Sequence, residues 1–345
     1  MTVQIYKSTD GSAPVLSGVV GGLVALLDAC LVTGYGAKAA AGWTKPYTST
    51  NRAVFRMATG SGRTGFYLNV DDNGTTTAKE AYMTGFQTMS AYNTGTGQFP
   101  TSGQINIGSA PAGSVVCRKS TTADSTARAW TLVADESCFY LFAETGDFTN
   151  PVLTMSFFFG DIFSLAGSAD LYKCLIIGRN NTNSALSGPE CFDCLNLNMT
   201  TTIAGHFMAS NSQGIGVSQT CGKVSDIMKA GYLSGVPVAS GTGSQGSTTS
   251  GFATTYLSSI PFPNPTDGGL LLAPIWITHN NQVRGYMKGL WMPCQYRTAN
   301  HGDVISGTGA MAGKTLQMIW SLGHASGQAP SDVGAVFVET SNTWS

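Results

Sequence analysis

The stretch Phe66-Tyr-Leu-Asn-Val-Asp-Asp-Asn73-Gly74-Thr-Thr-Thr77 sets the fold class. Apolar and polar residues alternate at its start, as they do along a strand with one buried face. Asn73-Gly74 readily adopts the φ > 0 pair of a type I′ turn, so the segment reads as an antiparallel hairpin. The same texture extends outward. Runs at Ala53–Met57, Ala129–Val133, Cys138–Phe142, Val152–Phe159 and Leu171–Ile177 are short, rich in Val, Ile, Thr and aromatics, and punctuated by Gly or Asn. Leu270–Thr278, Thr315–Trp320 and Ala335–Glu339 carry the pattern onward. No tandem repeat at a fixed period is evident, which argues against a β-helix or propeller. The expected fold is mainly β: an antiparallel sandwich or barrel-like body with a short N-terminal helix.

That helix is read from the most apolar part of the chain, residues 15–32. Leu23, Leu27 and Leu31 fall on one stripe at i, i+4 spacing between Gly21 and Thr33, and Gly34 is placed to stop the helix. The run is too short for a membrane span, and Asp28 would be costly inside one. Leu27-Asp-Ala-Cys30 mimics a lipoprotein cleavage box, but Asp28 sits inside the box and Lys7 alone stands for a charged leader. Residues 1–36 are therefore an N-terminal segment, and its leucine stripe, Leu23, Leu27 and Leu31, is the candidate docking helix. A β-rich body follows over 37–240. The low-complexity stretch 239–251 precedes a β-rich C-terminal part, 252–345, which either joins the body or stands apart from it.

Composition narrows the function. Charged residues make up 11% of 345 and the net charge is −1, far from the high charge of a disordered chain or the basic patch of a nucleic-acid binder. Neither a nucleic-acid nor a membrane partner is expected. The eight cysteines are scattered among apolar neighbours and read as buried thiols made in a reducing compartment.

Motif letters suggest chemistry in several places, and spacing removes most of it. Gly241-Thr-Gly243-Ser-Gln-Gly246 lies inside the linker rather than between a strand and a helix. Gly307-Thr-Gly309-Ala-Met-Ala-Gly313-Lys314-Thr315 lacks the glycine a phosphate loop needs at 308 and leads into a strand pattern. Cys191-Phe-Asp-Cys194 is a single knuckle with Cys174, His206 and Cys221 nearby in sequence; structural thiols are favoured over zinc. Asp71-Asp-Asn-Gly74 has no calcium-loop continuation. Asp135, Glu136, Glu144 and Asp147 could supply a glycosidase pair only if the fold brought two across a sugar. The histidines at 206, 279, 301 and 324 are dispersed. No cofactor, metal or catalytic residue is expected. Trp43, Tyr47, Phe99, Phe262, Trp291 and Tyr296 sit among Gly, Pro and Thr. Of these, Trp43, Tyr47, Trp291 and Tyr296 are the candidate interface or glycan contacts, against the alternative that loop aromatics fold back onto the core.

Several segments carry a resemblance. They are Ala13-Pro-Val-Leu-Ser-Gly18, Leu27-Asp-Ala-Cys-Leu31, Gly34-Tyr-Gly36, Ala41-Gly-Trp-Thr-Lys-Pro-Tyr-Thr48 and Thr50-Asn-Arg-Ala-Val-Phe-Arg56, then Phe66-Tyr-Leu-Asn-Val-Asp-Asp72, Thr94-Gly-Thr-Gly-Gln-Phe-Pro100 and Pro261-Phe-Pro-Asn-Pro265. Together they resemble a family of tailed-bacteriophage virion proteins of the tail or baseplate. The resemblance implies a virion structural subunit without catalysis, which assembles with copies of itself and docks to other virion proteins. The alternatives are a receptor- or glycan-binding tail adhesin and a head decoration protein. A charge-poor composition suits such a subunit, because obligate interfaces resemble a core.

Overall fold

The structure is a computed structural model that describes residues 2–74, 78–105, 110–146, 155–179, 204–224, 263, 266–280, 282–293, 301–321 and 334–345. Its strands are, in chain order, β1 (Gln4–Lys7), β2 (Thr44–Ser49), β3 (Arg52–Arg56), β4 (Tyr67–Asp71), β5 (Glu80–Phe86), β6 (Thr88–Ala91) and β7 (Thr94–Thr96). There follow β8 (Val115–Arg118), β9 (Trp130–Ala134), β10 (Cys138–Ala143), β11 (Met155–Asp161), β12 (Phe163–Ser164), β13 (Cys174–Arg179), β14 (Ala204–Met208) and β15 (Gln219–Thr220). The last are β16 (Gly222–Val224), β17 (Leu272–His279), β18 (Gln282–Pro293), β19 (Val304–Ser306), β20 (Thr315–Ser321) and β21 (Gly334–Glu339). The chain is mainly β, with antiparallel sheets curled into a half-barrel and one short α-helix, α1 (Gly22–Leu27).

The large sheet runs β1-β9-β10-β11-β13-β8-β5-β4-β3-β2, with β14 and β15 continuing from β13. The second runs β16-β17-β18-β21-β20-β19, with β12 added on β18. It draws β12 and β16 from before residue 240 and its other strands from after 252; the linker itself lies outside the described residues. Alternation along each strand shows how the layers stack. Phe139 and Leu141 of β10 enter the same core as Phe55 of β3 and Leu68 of β4, from the far side of the sheet. The sheet therefore wraps around that core. Cys138, Tyr140 and Phe142 point the other way and meet Ile275, Met287, Ile319 and Val336 of the second sheet. Strand β10 is thus buried on both faces, which is why Cys138-Phe-Tyr-Leu-Phe-Ala143 reads as a continuous apolar run.

The N-terminal helix plugs the half-barrel. Leu23, Leu26, Leu27 and Leu31 are fully buried in the core the large sheet surrounds. The stripe offered as a docking helix is therefore turned into the chain's own core, because the concave face of a curled sheet needs apolar filling. Only its first half is α-helical. Asp28–Thr33 continue as a π-helix, and Gly34 ends it at φ 77°.

The predicted hairpin pairs β4 with β5, but not through the two-residue turn. Asp71 registers with Tyr82, and residues 72–79 connect the strands. The reason is Asp72. Its carboxylate leaves the turn, accepts the Leu23 N–H at the start of α1 (2.7 Å), and pairs with Lys119; both charged side chains are fully buried.

Candidate interaction surfaces

Few of the candidate aromatics stand free. Trp43 is 3% exposed. Its indole N–H donates to the Asp135 carbonyl at 2.8 Å, and its ring meets Phe139 edge-on at 5.6 Å. Here the core reading replaces the contact reading, because the chain leaving the π-helix lays Trp43 back on the Leu31 carbonyl. Phe99 is likewise fully buried. Tyr47 on edge strand β2 is half-buried, and its hydroxyl donates to the Met89 carbonyl at 3.1 Å. Trp291 is half-buried and donates to Glu339 Oε1 at 2.8 Å. Glu339, fully buried, also accepts the Ser345 N–H. Tyr296, Phe262, Cys191, Cys194 and Asp147 lie outside the described residues, as do the glycines of 241–246. Cys30, Cys117, Cys138, Cys174 and Cys221 are buried thiols outside any disulfide. Gly313-Lys314 leads directly into β20, as a strand and not a helix.

The acidic pair Asp135 and Glu136 closes a turn. Asp135 Oδ1 accepts the Ser137 and Cys138 N–H groups and the Ser137 hydroxyl, at 2.6, 2.8 and 2.8 Å. Glu136 is paired with Arg63. Ser137 also accepts a hydrogen bond from Lys288 Nζ at 2.6 Å, an arrangement in which a neutral lysine could activate a serine. Burial works against the Lys288 charge, but the Cys138, Asp135 and Asp161 groups facing it outweigh that and hold its pKa above the ordinary lysine value. Lys288 therefore donates to Ser137 and does not take its proton. With Ser137 2% exposed, the cluster joins the two sheets as a polar bolt.

Among the described residues, two apolar surfaces stand out. The first is a loop tip. Leu165, Leu171, Ile215 and Val217 are 61–65% exposed. Their loops are tied together by Arg284, whose Nε and Nη2 donate to Asp170 at 2.7 and 2.8 Å while Nη1 donates to the Ser210 carbonyl at 3.0 Å. The Leu165 N–H donates to the Arg284 carbonyl. Asp170 is the only charged residue in 163–172 and 210–219, and Arg284 neutralises it. The result is a braced, uncharged surface with large apolar side chains outward. The second is a shallow groove of about 90 Å³ on the second sheet, lined by Leu270, Leu272, Ile305, Met311 and Leu316.

Sequence reasoning missed both. Apolar residues between glycines, as in Gly214-Ile-Gly-Val217, are the available signal for the tip, and composition alone does not say that they point outward. No protein-family model matches the chain, and no curated protein matches it. Among the described residues, no group of three or more His, Cys, Asp or Glu side chains could hold a metal ion, and no helix is long and apolar enough to cross a membrane.

Proposed function

We propose that the chain is a structural subunit of a tailed-phage virion, a tail or baseplate component that assembles with copies of itself and docks to other virion proteins. No catalytic step is part of this role. The observation that carries it is the loop tip: Leu165, Leu171, Ile215 and Val217 held outward by the Arg284–Asp170 pair in a region with no net charge. Charge-depleted apolar cores are what permanent interfaces share, and large exposed apolar groups on a soluble chain mark contact surfaces. The charge-poor composition and the resemblance of the 13–100 segments to tail and baseplate proteins support the same reading. Light scattering on the purified chain eluting from a sizing column tests it. A trimer, hexamer or larger ring is expected. A monomer at all accessible concentrations overturns self-assembly as its role.

A further inference from the structure

Arg52 and Arg56 lie on one face of β3, and antiparallel register gives them opposite kinds of neighbour. Arg52 is across from Asp71, and the two form an ion pair at 3.0 Å. Arg56 is across from Tyr67, and its guanidinium sits over that ring, 4.8 Å from the centroid. Arg56 Nε donates to the Gly65 carbonyl at 3.2 Å. The ring and the carbonyl together fix the plane of the fork. Among the described residues, the terminal nitrogens of Arg56 meet no acceptor and no carboxylate. One strand thus carries a neutralised arginine and, further along the same face, a rigid and unspent one.

The surroundings are polar. Thr44, which registers with Arg56, is exposed, whereas Thr48 registers with Ala53 on the other face and Ser49 with Arg52 at the far end of β3. Tyr47, which registers with Val54 on the Arg56 face, is half-buried, with its hydroxyl already bonded.

We propose that Arg56, oriented by Tyr67, forms a binding site for a carboxylate-bearing sugar. A guanidinium fork matches the two oxygens of a carboxylate in a bidentate bond. A fork held in place before the ligand arrives loses little freedom on binding. The half-buried position of Arg56 shields those bonds from salt better than full exposure would. The exposed Thr44 across from the fork and the amphipathic Tyr67 ring suit the hydroxyls and C–H faces of a sugar. An acidic side chain of a neighbouring subunit offers the same carboxylate, but the apolar tip and groove described above belong to other elements.

The test is titration by saturation-transfer NMR with galacturonate, glucuronate and N-acetylneuraminate, with glucose as the neutral control. At least one acidic sugar should bind the intact chain, more weakly as salt is raised, and glucose should not. Arg56→Ala should weaken that binding by roughly tenfold or more. Arg56→Lys keeps the charge without the fork and should fall between. Thermal melts of both variants separate lost binding from lost fold, and Arg56→Lys serves if Arg56→Ala unfolds. The proposal fails if no acidic sugar binds, or if one binds the folded Arg56→Ala variant equally well. A fall in oligomer mass on Arg56→Ala without any sugar binding would assign the fork to a partner's carboxylate, and this too overturns it.

Discussion

Lys119 and Asp72 are both fully buried, and each makes a second bond besides their ion pair. Lys119 Nζ donates to the Val19 carbonyl at 2.5 Å, and Asp72 accepts the Leu23 N–H. The pair holds the N-terminal segment to the sheet. Removing one partner strands the other in the interior, so Lys119→Met is expected to cost about 3–5 kcal/mol in denaturant melts at neutral pH. Burial pushes the Asp72 carboxyl up to about 6, although Lys119 and the backbone N–H groups of Leu23 and Val24 pull it down. The folded-state value lies above the ordinary 3.8, so the folded chain binds this proton more tightly than the unfolded one. The Asp72 contribution to stability therefore grows as pH falls from 7 through 6 toward 4, the reverse of a carboxylate whose pKa is depressed. Lys119→Met should steepen that rise, and melts at pH 7, 6 and 5 read it directly. Gly85 sets a tighter limit. It exchanges backbone hydrogen bonds with Phe99, and a Cβ there would lie 2.3 Å from the Phe99 ring. Gly85→Ala should displace the ring and cost about 1–3 kcal/mol or more.

At the scale of elements, the leucine stripe is the most informative case. Its spacing was legible in the sequence because helical periodicity is local, whereas its direction was not, because a stripe that fills a half-barrel and one that docks elsewhere have the same letters. Leu27→Ala should therefore behave as a core change, destabilising by about 2–5 kcal/mol in denaturant melts. Strands β10, β11 and β13 were legible for a related reason: burial on both faces leaves a run with few polar interruptions. Strand β5 was not, since Glu80 and Thr84 are buried yet polar, and β18 is broken by Gly285 and Gly289. Gly289 has φ 60° beneath the Trp344 ring. The Arg56–Tyr67 pairing was out of reach altogether. It depends on which residue of β4 comes to lie opposite, and the spacing of letters along one strand carries no information about its neighbour.

Across the whole molecule, the two sheets and the loop tip divide the work. The Arg284–Asp170 pair links β18 of the second sheet to the loop before β13 of the first. Its bracing keeps the tip in place without the tip residues having to pack. Leu165→Asp combined with Ile215→Asp should therefore leave the melting temperature nearly unchanged while reducing the light-scattering mass toward that of a single chain. A variant that melts much earlier would place those side chains in the fold instead. The burial of β10 on both faces has a further consequence. Its Phe139–Ala143 stretch pairs with β9 on one edge and β11 on the other, so no small fluctuation exposes those amides to deuterium. Exchange there must wait for the whole body to come apart. Isotope uptake at Phe139–Ala143 is thus a clock for global opening, while the loop at 210–218 should label early.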